Sequence, residues 1–124
     1  MPLPWESGVS ASNGFNQTGK SWIPQPEIYA EYARNRQDGV AGSTLEMYKH
    51  ALKLRKELGL GHGSFDWAPE YVSETSLGYR NGSILVIHNF GEESIPLPSG
   101  IVVASSSFKE CLSVEANQTV WLQL

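Results

Sequence analysis

The chain has 124 residues, 40% of them hydrophobic and 18% charged, with a formal net charge of −4. That balance belongs to one globular domain, or one domain plus an arm, and excludes a disordered chain. No Lys/Arg stripe tracks a phosphate backbone, and no run approaches the roughly 18 apolar residues that cross a bilayer, so neither a nucleic-acid nor a membrane partner is expected.

The one cysteine, Cys111, excludes an internal disulfide and a cysteine-rich zinc site. It reads as a small apolar residue under a strand end rather than as a nucleophile. No charged-then-apolar signal sequence opens the chain, and a cytoplasmic location is the expectation.

Residues 1–42 are expected to form an irregular arm. "MPLPWESGVSASNGFNQTGKSWIPQPEIY" holds Pro2, Pro4, Pro24 and Pro26 together with Gly8, Gly14 and Gly19. Each proline fixes its own φ and pushes the residue before it toward extended backbone. A stretch of this length without a period lies on something larger or is mobile. A short helix over residues 28–36 is the one element expected here.

Residues 43–61, "STLEMYKHALKLRKELGLG", carry the one long helical pattern. Ser43 and Glu46 are spaced as a capping box, and Gly59 and Gly61 supply stop signals. At about 100° per residue, Leu45, Met47, Tyr48, Ala51, Leu52, Leu54 and Leu58 fill an apolar arc of roughly 180°. That is wider than one contact needs and predicts neighbours on two sides. Arg55 falls inside the arc. It must find a carboxylate or carbonyls, or else run to water at the edge.

From residue 64 to 124 the pattern is β. In "SLGYRNGSILVIHNF" the pair Asn81-Gly82 separates two strand-like runs as a hairpin turn. Ile84, Leu85, Val86 and Ile87 do not alternate, which predicts a strand covered on both faces. Further strands are expected at "FDWA", "YVSE", "SIPLP", "IVVASS" and "TVWLQL". About six short antiparallel strands point to a small sandwich. The fold class is therefore α+β, mainly β, with one long helix ahead of a sandwich.

Little in the sequence does chemistry. His50, His62 and His88 have no metal spacing, and there is no nucleophile elbow or phosphate-cradling glycine loop. No metal and no cofactor is expected. His50 lies on the polar side of the helix and reads as solvated, whereas His88 reads as packed or at an edge. Asp66, Glu70, Glu74, Glu92, Glu93 and Glu110 read as surface charges. Trp67 and Trp121 sit in strands and read as core; Trp5 and Trp22, in the arm, divide between packing and stacking on a sugar ring. Asn16, Asn81 and Asn117 open glycosylation patterns that matter only in a secreted chain.

The order of "PLPWE", "NGF", "WIPQP", "STLEMYKHALKLRKELGLGHGSFDW" and "YRNGSILVIHNFGEESIPLPSG" resembles the C-terminal end of α-glucosidases of the oligo-1,6-glucosidase type. These belong to the α-amylase family of retaining glycoside hydrolases, and the resemblance covers essentially the whole chain. It implies that "PLPW" is the loop after the eighth strand of a β/α barrel and that residues 43–59 are its last helix. The rest would be the C-terminal β-sandwich of that family.

The nucleophilic aspartate, the acid/base glutamate and the third aspartate of the family lie on earlier barrel strands, and no position here matches them. Retaining hydrolysis needs two carboxyls about 5 Å apart, at the C-terminal face of the barrel, so this chain alone is expected to be inactive. Its implied partner is the catalytic barrel. Trp5 and Phe15 are the candidate contacts to an α-glucoside.

The alternatives are a stand-alone carbohydrate-binding module and a non-catalytic fragment that self-associates through its helix face. Met1 stands where relatives often carry Val or Thr. The resemblance thus implies an internal codon read as a start, a decayed or split gene, or a deliberately shortened chain.

Overall fold

Prolines and glycines keep the first part of the chain out of regular structure, and hydrogen bonds take over. The computed structural model describes residues 2–107 and 112–124; Cys111 and Glu110 lie outside the described residues. The chain divides into two compact units, one running to Lys49 and the other from His50 on.

In the first unit, residues 2–25 form a loop closed on itself. The expected helix over residues 28–36 is instead a 3₁₀ turn, Glu27–Ala30, and a single helical turn, α1, Arg34–Gln37. Ala33 between them is fully buried and extended, with φ −61° and ψ 144°. The break has a cause. The N–H groups of Arg34 and Asn35 donate to the carbonyls of Pro4 and Trp5, at 3.2 and 3.1 Å, so the loop takes donors that a longer helix would use.

Helix α2 spans Thr44–Glu57. Ser43 Oγ accepts the N–H of Glu46 at 3.3 Å, as a helix cap does. The other half of the expected capping box is different: the Glu46 carboxylate takes the N–H of Gly39 at 2.9 Å, while Ser43 N–H donates to the Val40 carbonyl.

At the far end Leu60 N–H donates to Arg55 O at 3.0 Å and Gly59 N–H to Lys56 O at 3.3 Å, with Gly59 at φ 63°. This paired closure is the Schellman stop, which satisfies two end carbonyls. No helix residue is fully buried, and Tyr48 and Leu52 are 60% and 62% exposed. Arg55 is exposed and makes no ion pair among the described residues, so it resolves toward water.

Among the described residues the second unit holds seven strands: β1 Phe65–Trp67, β2 Ser76–Asn81, β3 Ile84–Asn89, β4 Ile95–Pro96, β5 Ile101–Ser105, β6 Ser113–Val114 and β7 Gln118–Gln123. They form an antiparallel five-stranded sheet, β1-β2-β3-β7-β5, and a two-stranded one, β4-β6. Leu85 and Ile87 pair with Leu122 and Val120 across β3 and β7 and meet Val114 of β6 in the core. Burying each such side chain fully contributes about 1.5–3 kcal/mol.

Two expectations shift. "YVSE" is not a strand: Pro69 opens a 3₁₀ turn, Pro69–Tyr71, and Ser73 N–H closes back on Ser76 O at 3.1 Å. Asn81 pairs with Ile84, so the hairpin loop is Gly82-Ser83, one residue later than the sequence signal suggests. Asn81 is held in the ladder because its Nδ2 donates to the Leu60 carbonyl at 2.9 Å.

Strand β3 is covered on both faces, as its unbroken apolar run requires: Ile84, Leu85, Val86 and Ile87 are all buried. Leu85 and Ile87 face the core, and alternation turns Ile84 and Val86 the other way. The cover on that side follows from two tethers. His50 Nε2 donates to the Val103 carbonyl of β5 at 2.7 Å, and Leu60 O is held by Asn81 of β2. The end of α2 therefore passes over β3 and β7, which lie between those strands.

Candidate functional site

Two candidate surfaces result, one in each unit. In the first unit the N–H groups of Trp5 and Glu6 both donate to Asn13 O, at 2.8 and 3.0 Å, and Phe15 N–H donates to Ser12 O at 3.0 Å. Ser12 is fully buried, and its hydroxyl donates toward Asn16 O at 3.3 Å. Asn13 Nδ2 donates to Gln25 Oε1, and Gln25 Nε2 to the Pro2 carbonyl, which ties the ends of the loop.

A Cβ on Gly14 would stand 3.5 Å from Trp5 Cβ. Trp5 therefore lies close to Gly14, next in the chain to Phe15, and the two side chains are 48% and 42% exposed. Trp22, in the same loop, is 85% exposed.

Charges in this unit gather around Lys49. Its ammonium donates to Glu46 Oε1 at 2.6 Å and to Asp38. Hydrogen bonding to Lys49 holds both carboxyls below their ordinary range, and the carboxylates raise the lysine in turn. Both acids stay ionised at neutral pH, which suits an ion-pair cluster and not a general acid. Among the described residues no group of three His, Cys, Asp or Glu side chains is placed to hold a metal ion.

In the second unit five rings form a row across β1, β2 and β3. Trp67 and Phe65 meet edge to face at 5.1 Å, Phe65 and Tyr79 lie 5.3 Å apart, Tyr79 and His88 5.8 Å, and His88 stacks on Phe90 at 6.0 Å. Trp67 is 57% exposed, so the core reading for it is overturned: it stands on the terminal strand of the sheet, beyond which no further strand pairs among the described residues.

His88 is packed, with Nδ1 bonded to Thr119 Oγ1 at 2.8 Å, and burial lowers its pKa. His50 is not merely solvated. β5 skips Val103 in its register with β7, and the Val103 carbonyl left out by that bulge is the one His50 caps. Glu70 is held ionised by its hydrogen bond to Arg80. The ring row, absent from the sequence reading, had a signal: Phe65, Trp67, Tyr79 and His88 alternate along their strands.

No protein-family model matches the chain, and no curated protein matches it. Solved structures do. A trehalulose synthase is 23% identical over 100% of this chain and 25% of its own, with a TM-score of 0.76. An isomaltulose synthase from Klebsiella sp. LX3 is 24% identical over 98% of this chain and 24% of its own, with a TM-score of 0.73. The trehalose-6-phosphate hydrolase of Bacillus licheniformis is 25% identical over 100% of this chain and 26% of its own, with a TM-score of 0.75.

These neighbours are α-amylase-family enzymes, and the chain shares the fold of one part of them. It spans about a quarter of their length. Among the described residues no helix is long and apolar enough to cross a membrane.

Proposed function

We propose that this chain is the C-terminal region of an α-amylase-family glycoside hydrolase of the α-glucosidase type. Its sandwich and last helix would stabilise a catalytic barrel that supplies the nucleophile and the acid/base. The observation that carries this reading is the continuous match of loop, helix and sandwich, over 98–100% of the chain, to a quarter of such enzymes. The exposed apolar side chains of the loop and of α2 support it, since a surface of that kind suits a partner.

In this reading the whole enzyme cleaves an α-glucosidic bond, with Trp5 and Phe15 at the mouth of its site, and it works in the cytoplasm. The chain by itself turns over nothing. Hydrolysis of p-nitrophenyl α-glucoside is the test, for the 124-residue chain alone and mixed with any polypeptide encoded directly upstream. The expected result is no release of nitrophenol by the chain alone. Release by the chain alone would overturn the proposal.

A second reading has an observation of its own. Tyr48 and Leu52 stand exposed on α2, so an isolated chain has an apolar helix face with which to self-associate. Sedimentation showing a monomer at high concentration would remove it. Heat on titration with maltose or isomaltose would instead favour a stand-alone carbohydrate-binding module.

A further inference from the structure

Strand β1 ends the five-stranded sheet, and its register fixes which backbone groups face outward. Gly82 N–H donates to Ser64 O at 3.2 Å and Ala68 N–H to Gly78 O at 3.0 Å. In an antiparallel ladder such bonded pairs recur at every second residue. Asp66, opposite Arg80, therefore completes the bonds to β2, and the N–H and C=O groups of Phe65 and Trp67 point away from the sheet. Beyond them no strand follows among the described residues.

The surroundings of that edge have a definite chemistry. Phe65 and Trp67 present half-exposed rings on one face, and an apolar cavity of about 340 Å³ opens beside Trp67 between Pro69, Val72 and Leu77. Alternation puts Asp66 on the other face. It is exposed and has no salt-bridge partner among the described residues; Arg80 opposite it is bonded to Glu70 and attracts Asp66 only at longer range, which leaves the carboxylate open to a second cation. A strand laid along β1 would meet Phe65 and Trp67 as hydrogen-bonded pairs. Its central residue would then lie opposite Asp66 in the closer, non-bonded kind of pair, with Cα atoms about 4.5 Å apart.

We propose that the edge of β1 is a strand-addition site for an extended peptide segment that carries lysine or arginine between two apolar residues. The central cation pairs with Asp66, the flanking side chains lie beside Phe65 and Trp67, and the outward backbone groups supply the ladder. Charge complementarity selects this occupant over a second copy of the chain. Two β1 edges centred on each other would set Asp66 against Asp66, and like charges directly opposite are destabilising, which is a common guard against self-pairing. The inference does not depend on the enzymatic reading above.

The test uses the ¹⁵N-labelled full chain with two synthetic peptides, acetyl-Thr-Val-Lys-Val-Thr-amide and the same peptide with Glu for Lys. Hydrogen exchange at the Phe65 and Trp67 amides is the readout. The lysine peptide is expected to slow both amides and to bind roughly tenfold more tightly than the glutamate peptide. Asp66→Lys is expected to reverse the order. If that variant fails to fold, the two peptides on the unaltered chain still decide the matter. Equal binding of both peptides, no slowing by either, or slowing that grows with protein concentration in the absence of peptide would each overturn the proposal.

Discussion

The two units are built on opposite principles. The second buries Leu85, Ile87, Val114, Val120 and Leu122 between two sheets. In the first, the side chains that reach full burial are Pro2, Ser12 and Ala33, while Trp5, Val9, Phe15, Trp22 and Ile28 remain exposed. Its order comes from hydrogen bonds between loop residues, such as the pair that Asn13 O accepts from Trp5 and Glu6. Hydrogen bonds exchanged with water contribute about 0.5–1.5 kcal/mol each, so a unit of this kind has little stability of its own. The apolar side chains that the first unit leaves outside are the ones a core would have used.

The largest expected effect sharpens that contrast. Leu122→Ala removes a side chain 1% exposed, near the end of β7 and in the core between the sheets. It should cost about 2–5 kcal/mol in urea unfolding. Trp22→Ala, at a residue 85% exposed, should change the same midpoint by less than about 0.5 kcal/mol. A comparable loss at Trp22 would mean that the first unit hides a core of its own.

Next comes Gly78. A Cβ there would lie 2.4 Å from Tyr71 Cβ, because the 3₁₀ turn Pro69–Tyr71 rests directly on β2. Gly78→Ala should cost about 1–3 kcal/mol by forcing that turn outward. It should also move the Tyr71 resonances before any in the first unit. Smaller again is His50→Ala, which leaves the carbonyl of the β5 bulge to water and should cost about 1 kcal/mol. If it costs nothing, the bulge is already solvated and the tether of α2 to β5 is incidental.

These cases also show what the sequence could and could not reveal. Local rules with one outcome were legible: Ser43 caps, Gly59 closes the helix, and the apolar run of β3 is covered twice. What escaped depends on partners distant in the chain. Asn81 reads as a turn residue until Leu60 O draws its amide into the ladder. His50 reads as solvated until a bulge 53 residues away leaves a carbonyl unpaired. Trp67 reads as core because pattern alone does not say which strand ends a sheet. The two-residue β6 is too short to carry a period at all. Of the candidate contacts, Trp5 and Phe15 were chosen by resemblance, and nothing local signals that Trp5 would come within reach of Gly14.

Acid separates the units most finely, because different groups titrate in each. In the second unit burial holds His88 below its ordinary value of 6.5. The unfolded chain therefore takes up a proton there before the folded chain does. Its contribution is full above about pH 6.5 and is lost as the pH falls through the lowered folded value. In the first unit Asp38 and Glu46 are held below their ordinary 3.8 and 4.5 by Lys49, so their contribution is full above those values and is lost only as the pH falls beneath them.

Amide protection of β3 should thus weaken as the pH falls below about 6.5, while that of residues 34–47 holds until more acid conditions. His88→Gln, which keeps a partner for Thr119 Oγ1, should flatten the β3 response and leave the first unit unchanged. Parallel decline of both units, or a β3 response indifferent to His88→Gln, would show that the titration is shared and that the units are not separable in this way. The carboxylates are exposed, so added salt should diminish their share and leave that of the packed histidine.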